Sequence, residues 1–304
     1  MTKLKCILIS LTTLAILANY SFGQGCSDAG FCTINSFKPE SGDNTGVYKN
    51  QFKIGAFFGG ADNAIFVYGN YAEYNRQLNE NIGVDIKWTT LAQNGNGLSV
   101  FGLADVFLNA NYRANEKLKF TLGTKIPMSN ANKSINNLPL PMDYQASLGT
   151  FDFIFGLGYE INKLQIVAAI QQPLTQNDNR FFASSYQAGS KLAVFQSTHL
   201  FRRSGDVLLR VSYPISLSEK MKLTPGLLPI YHIANDKYAD ELNNEKEIVG
   251  SQGLTLNSNI YLDYEINNRN TIQINVGVPF VVRESRPDGL TRSFIANAEY
   301  RILF

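Results

Sequence analysis

Histidine, tryptophan and cysteine are nearly missing from this chain: its 304 residues include two His, one Trp and three Cys. A zinc centre therefore lacks ligands, because His199 and His232 stand at no metal-ligand spacing from the cysteines. Charge is scarce as well. Asp, Glu, Lys and Arg make up 17% of the chain, against roughly 25% in a soluble domain. With 27 basic and 25 acidic residues there is no basic excess to neutralise phosphates, which excludes nucleic acid as a partner. Catalytic signatures are absent too: there is no Gly-x-Ser-x-Gly, no His-Glu-x-x-His and no Gly-x-x-x-x-Gly-Lys phosphate loop. No cofactor, metal or catalytic residue is expected. What the chain has in quantity is aromatic side chains, 20 Phe and 15 Tyr among them.

The only long apolar run lies at the start. Lys3 and Lys5 precede residues 6–17 (CILISLTTLAIL), and the polar, small-residue stretch ANYSFGQ follows, the pattern of a secretory signal peptide over residues 1–23. A membrane anchor needs about 20 apolar residues, and Asn19 and Tyr20 interrupt this run early. Cleavage removes Lys3 and Lys5 and no acid, so the 27 basic residues fall to the number of the 25 acidic ones and the mature chain is neutral. Cys6 leaves with the signal. Cys26 and Cys32 remain, and export permits a local disulfide between them. Lipidation of Cys26 is the competing reading, although Phe22-Gly23-Gln24-Gly25 lacks the Leu expected three positions before a lipidated Cys.

Beyond the signal the chain alternates. Leu254, Leu256, Ser258, Ile260, Leu262, Tyr264 and Ile266 are nearly all apolar, while Thr255, Asn257, Asn259, Tyr261, Asp263 and Glu265 are mainly polar. Ile272, Ile274, Val276, Val278 and Phe280 oppose Thr271, Gln273, Asn275 and Gly277 in the same way. A period of two means strands. The same test predicts twelve of them, near 51–58, 64–75, 81–91, 98–112, 117–128, 147–160, 163–173, 206–217, 221–234, 253–266, 270–283 and 290–303. Residues 183–200 offer one more hairpin, which would give fourteen.

The connections alternate between short polar turns (75–80, 113–116, 160–163, 218–220 and 267–270) and mostly longer segments rich in Asn, Ser, Asp and Gly (129–146, 174–205 and 235–252). Short-long alternation, an even strand number and both chain ends on the short-turn side are the requirements of a transmembrane β-barrel. Lipid offers no partner to backbone N–H and C=O groups, so strands cross a membrane only when their sheet closes. Tyr68, Tyr71, Tyr74, Trp88, Tyr112, Tyr159, Tyr213, Tyr231, Tyr264 and Tyr300, near strand ends, fit an interfacial girdle. The expected fold is thus all-β: a transmembrane antiparallel up-and-down barrel over residues 49–304, set against the alternative of an exported sandwich or solenoid.

With the apolar face toward lipid, the opposite parity places Asp85, Lys87, Asp105, Arg113, Lys119, Lys125, Asp152, Arg210, Asp263, Glu265, Glu299 and Arg301 in the lumen. A charge on the lipid side costs roughly 2–4 kcal/mol for Arg or Lys at the midplane. The mixed signs suit pairing across the lumen, which holds the wall together, better than a solute-coordinating role, and they do not make a ring selective for ions of one sign.

The final strand, with Ala298, Tyr300, Ile302 and Phe304 at alternating positions, resembles the C-terminal insertion signal of bacterial outer-membrane proteins, which implies handling by a barrel-assembly machinery. Gly102-Leu103-Ala104-Asp105-Val106, Leu122-Gly123-Thr124-Lys125-Ile126-Pro127 and Ser147-Leu148-Gly149-Thr150-Phe151-Asp152-Phe153 resemble the meta-pathway phenol-degradation-like family of outer-membrane barrels, which is similar to the long-chain fatty acid transporter (FadL) type. The resemblance covers most of residues 50–304 and departs from the family pattern at Ser129, where a Gly is expected after the Pro. It implies passive uptake of a small hydrophobic or aromatic solute across the outer membrane, with lipid as surroundings, long loops extracellular and both termini periplasmic. It also suggests that residues 24–48, with Phe31, Ile34 and Phe37, form a hatch in the lumen; a plain leader is the alternative. Two other functions stay open: a structural or adhesive barrel that binds a partner through its loops, and a membrane hydrolase using His199 or His232 as base.

Overall fold

The computed structural model describes residues 33–39, 48–289 and 293–304. The signal peptide, Phe31, Cys26 and Cys32 lie outside the described residues. Twelve long strands carry the fold: β1 (Asn50–Gly60), β2 (Phe66–Gln77), β3 (Ile82–Gly95), β4 (Leu98–Arg113), β5 (Leu118–Pro127), β6 (Asp152–Ile161), β7 (Leu164–Pro173), β8 (Asp206–Ser212), β9 (Met221–His232), β10 (Gly253–Asn267), β11 (Asn270–Val281) and β12 (Phe294–Leu303). Each pairs antiparallel with its chain neighbours. β12 returns to β1 in an unbroken register from Gln51↔Leu303 to Gly60↔Phe294, so the sheet closes and leaves no edge.

The turns explain themselves locally. Asn96 (φ 54°) and Gly97 (φ 81°) form the two-residue link between β3 and β4 with both residues left-handed, the conformation Asn-Gly favours in tight hairpins. At the opposite end, three short turns use one device. The Oδ1 of Asn79 accepts from the amides of Asn81 and Ile82 at 2.9 and 2.8 Å. Asn115 does the same for Lys117 and Leu118 at 2.9 and 3.0 Å, and Asn267 for Arg269 and Asn270 at 2.9 and 3.0 Å.

The outer wall is apolar. Ile272, Ile274, Val276, Val278 and Phe280 of β11 all face outward and exposed, as do Ile82, Val84, Ile86 and Trp88 of β3. Continuous exposed apolar surface on a closed barrel is a surface for lipid. No helix among the described residues is long and apolar enough to cross a membrane.

Two expectations are corrected, one strand carries a bulge, and the fourteen-strand alternative falls away. Tyr71 does not join the outer girdle: it shares its parity with Val67 and Glu73, points inward and is 4% exposed. In β4 the register slips, Trp88 facing Val106 but Thr90 facing Leu103, so Ala104 and Asp105 share one partner position. The bulge switches the inward set from Phe107 and Asn109 below it to Val100 and Ala104 above it. The strand expected over 147–160 begins only at Asp152: Gly149 turns left-handed (φ 68°) and the Ser147 hydroxyl accepts from its amide at 3.0 Å. Residues 183–200 form 3-10 turns (Ala183–Ser185 and Lys191–Val194) rather than a hairpin, because Phe181, Leu192 and Phe195 are buried in the mouth of the barrel, which keeps twelve strands.

The long loops fold over that mouth instead of projecting away. Leu140, Tyr144, Ala146, Phe181, Leu192 and Phe195 pack against the inward side chains Ile65, Val67, Leu91 and Val100. Buried Asn179 ties two of these loops together, donating to the carbonyls of Ala131 at 2.8 Å and Leu140 at 3.1 Å.

Candidate functional site in the barrel lumen

The lumen has two unlike arcs. One, on β10–β12 and β1–β3, is charged. Register places Arg301, Lys53, Glu73 and Lys87 side by side on four successive strands. Lys53 pairs with Glu73 at 3.0 Å. Arg301 reaches Glu299 at 2.5 Å and Asp263 at 3.4 Å, and Gln273 donates to Asp263 at 2.8 Å. Tyr71 lies over Gly55, where a Cβ would strike its ring, and donates to Glu299 at 2.5 Å. Asp85 accepts from Asn109 and Asn111, each at 2.7 Å.

The other arc is apolar. Phe107 of β4, Ile154 of β6, Val167 and Ala169 of β7, Leu208 of β8, and Leu228 and Ile230 of β9 form one buried cluster. Two charged features interrupt it. Lys125 and Asp152 pair at 2.9 Å, both fully buried, and Arg210, 2% exposed, faces inward two residues from Leu208.

Between the arcs lies the segment 33–39, and its sequence is two-faced to match. Ile34 and Phe37 join the apolar cluster, 0% and 1% exposed. The other residues meet the polar wall: Lys87 donates to the Thr33 carbonyl at 3.0 Å, and Lys53 to Asn35. Ser36 donates to Asn111 at 2.5 Å, and Lys38 pairs with Glu299 at 2.7 Å. Arg210 donates through Nη1 to the Phe37 carbonyl. Two cations of the wall, Lys87 and Arg210, thus hold the segment by backbone oxygens, and Lys53 holds it by the side-chain oxygen of Asn35.

Of the residues expected in the lumen, the structure gathers Asp85, Lys87, Asp263, Glu299 and Arg301 into the charged arc and Lys125 with Asp152 into a separate pair. Asp105 is half-buried at the bulge and accepts from Ser147 at 2.6 Å. Arg113, Lys119 and Glu265 sit at the rim where β1 begins and β12 ends, and with Arg301 they line a cavity of about 170 Å³. Lys53, Glu73 and Lys38 were missed. For Lys53 and Glu73 the signal was there, since both share the parity of inward neighbours; Lys38 lies outside any strand, where periodicity has nothing to say.

A second polar cluster closes the opposite mouth. Arg203 pairs with Asp206 at 2.5 Å, and Arg283 with Asp288 at 2.9 Å, all fully buried. The neighbouring cations hold the Asp288 carboxyl well below the usual carboxylate range, against its burial. His232 lies between Asp206 (2.7 Å from Nδ1) and Asp236 (2.8 Å from Nε2). Both its nitrogens therefore face carboxylates, while the nearby Ser251 hydroxyl donates to the Ile248 carbonyl at 2.6 Å. His199 lies tilted against Phe182, 4.5 Å between ring centres.

A closed, twelve-stranded, antiparallel barrel with an apolar exterior and a charged interior has the fold of an outer-membrane β-barrel. No protein-family model matches the chain, and no curated protein matches it in sequence. Among solved structures, the COG4313 outer membrane channel from Pseudomonas putida F1 superposes with a TM-score of 0.61 at 13% identity, over 89% of this chain and all of that one. The translocator domain of autotransporter NalP from Neisseria meningitidis gives 0.48 at 9% identity, over 90% of this chain and 92% of that one. The CymD monoaromatic hydrocarbon channel gives 0.46 at 8%, over 93% and 94%. At these identities the likeness is one of fold.

Proposed function

We propose that the protein is a passive outer-membrane channel for a small hydrophobic or aromatic solute, resembling the meta-pathway phenol-degradation-like barrels, with residues 24–48 as its hatch. The observation that carries this reading is the two-faced segment 33–39. A barrel that only had to be stable would need no separate, non-strand piece to cover an apolar arc of its own lumen. Withdrawing that piece uncovers Phe107, Ile154, Val167, Leu208 and Ile230 as an apolar lane beside a charged wall. The wall's ion pairs hold the path in shape, since a lone buried charge would be costly. The superposable channel from Pseudomonas putida lends the class support. In this reading residues 1–23 are the signal, a Cys26–Cys32 bridge pins the hatch, the long loops are extracellular, the termini are periplasmic, and no reaction is catalysed.

The test is to refold the mature chain, confirm heat-modifiable migration, and measure liposome uptake of aromatic solutes and sugars before and after proteolytic removal of residues 24–45. Aromatic uptake that rises on removal is expected. Unchanged permeability would rule out the hatch, and uptake of sugars alone would overturn the apolar path. A second reading, a structural or adhesive barrel, is favoured by the buried Arg203–Asp206 and Arg283–Asp288 closure of the loop-side mouth; it predicts no uptake either way.

A further inference from the structure

The way Phe37 is held specifies more than an apolar lane. Its ring lies against Gly156 of β6, so close that the three atoms nearest to a Cβ at that position would all belong to the ring. Gly156 stands in register with Thr121 on one side and Ala169 on the other, and Ala169 with Leu208. Small residues thus floor the seat, and Ile154, Val167 and Leu208 wall it. Two carbons from the ring, the Phe37 carbonyl oxygen accepts from Arg210. Arg210 is in direct register with Val167, so the guanidinium belongs to the same lining as the ring seat. Its central carbon also lies over Tyr261, 5.9 Å from the ring centre.

Resting on the channel reading, we infer that this is a binding site for an aryl carboxylate, a phenyl ring linked by about two carbons to a carboxylate, whose place Phe37 occupies. The ring would take the Gly156 seat and the carboxylate the Arg210 guanidinium. When the segment withdraws, Arg210 loses its carbonyl acceptor inside a poorly hydrated wall. An incoming carboxylate replaces it with a charge-assisted bond in the planar geometry that guanidinium prefers. A neutral arene fills the seat and offers the guanidinium no charged acceptor.

The probes are 3-phenylpropionate, which copies the ring, two carbons and carbonyl of Phe37, and its neutral amide. Binding to the full mature protein in detergent is measured by equilibrium dialysis, with heat-modifiable migration checked for every variant. The acid is expected to bind about tenfold more tightly than the amide, the difference between a charge-assisted and a neutral hydrogen bond. Phe37→Ala removes the internal competitor and should tighten acid binding several-fold. Gly156→Val fills the seat, where the three atoms nearest to a Cβ all belong to the Phe37 ring, and should weaken both probes. Arg210→Gln should bring acid and amide level, and Arg210→Lys should restore part of the difference. Equal binding of acid and amide by the wild type, or a preference that survives Arg210→Gln, would overturn the inference. The channel reading fails separately: acid that binds with these dependences but crosses no liposome leaves the site standing and removes the channel, whereas aromatic uptake without acid preference does the reverse.

Discussion

Replacing Lys38 by Met tests whether the segment 33–39 is a separable piece of the barrel. The side chain keeps its length and loses the charge that pairs with Glu299 at 2.7 Å, where the two side chains are 7% and 1% exposed. Breaking a buried pair by removing one partner costs about 3–5 kcal/mol. Glu299 keeps Arg301 and Tyr71, each at 2.5 Å, so the loss falls near the lower end, ~3 kcal/mol. That figure applies to the docking of the segment, because the strands on either side keep their hydrogen bonds. It corresponds to roughly a hundredfold rise in the undocked population. Protease sensitivity of the segment and single-channel conductance should both increase, with the heat-modifiability midpoint of the barrel unchanged. Lys38→Met added to Glu299→Gln should cost the docking little more than Glu299→Gln alone, since the pair is already broken. If Lys38→Met lowers the barrel midpoint while the segment stays protected, the segment is part of the wall and the argument is wrong.

Three further outcomes can be checked. Gly55→Val should push Tyr71 off Glu299 and destabilise the barrel by about 1–3 kcal/mol, seen as a lower heat-modifiability midpoint. Ile274→Arg, on the exposed face midway along β11, should cost roughly 2–4 kcal/mol of folding stability in liposomes, whereas the same change in detergent should matter much less. In the loop-side mouth, burial, helped by Asp62 and Asp288 and opposed by Arg286, pushes the Asp143 carboxyl up to about 7. The packed loop therefore holds that proton more tightly than the open loop does. Its contribution is complete below the ordinary carboxylate value and is lost as pH rises through about 7. Loop 128–151 should be better protected from protease at about pH 5 than at about pH 8.5, and Asp143→Asn should remove the difference.

Local chemistry wrote much of this protein into its sequence. The period of two in 254–266 and 270–280 marks the strands and their lipid face, because each side chain must go to one side of the sheet or the other. Asn79, Asn115, Asn267 and Asn96-Gly97 mark turns because their side chains or backbones satisfy the turn within two or three residues. Such signals need no distant partner. They also place Asp85, Lys87, Glu299 and Arg301 inside, on parity alone.

What depends on distant partners was decided only by the folded barrel. The bulge at Ala104 and Asp105 follows from the register with β3, and it reverses the parity of the upper half of β4. Residues 183–200 have strand-like composition, but the open mouth offered Leu192 and Phe195 a drier place than a lipid-facing wall extended by two strands. Tyr71 turns inward with Glu73, and the register then lays it over Gly55 and within reach of Glu299. Lys38 meets Glu299 across 261 residues of chain. A period of two tells a side chain which face it takes; which charge it meets there, and which apolar arc needs covering, is set by closing β12 onto β1.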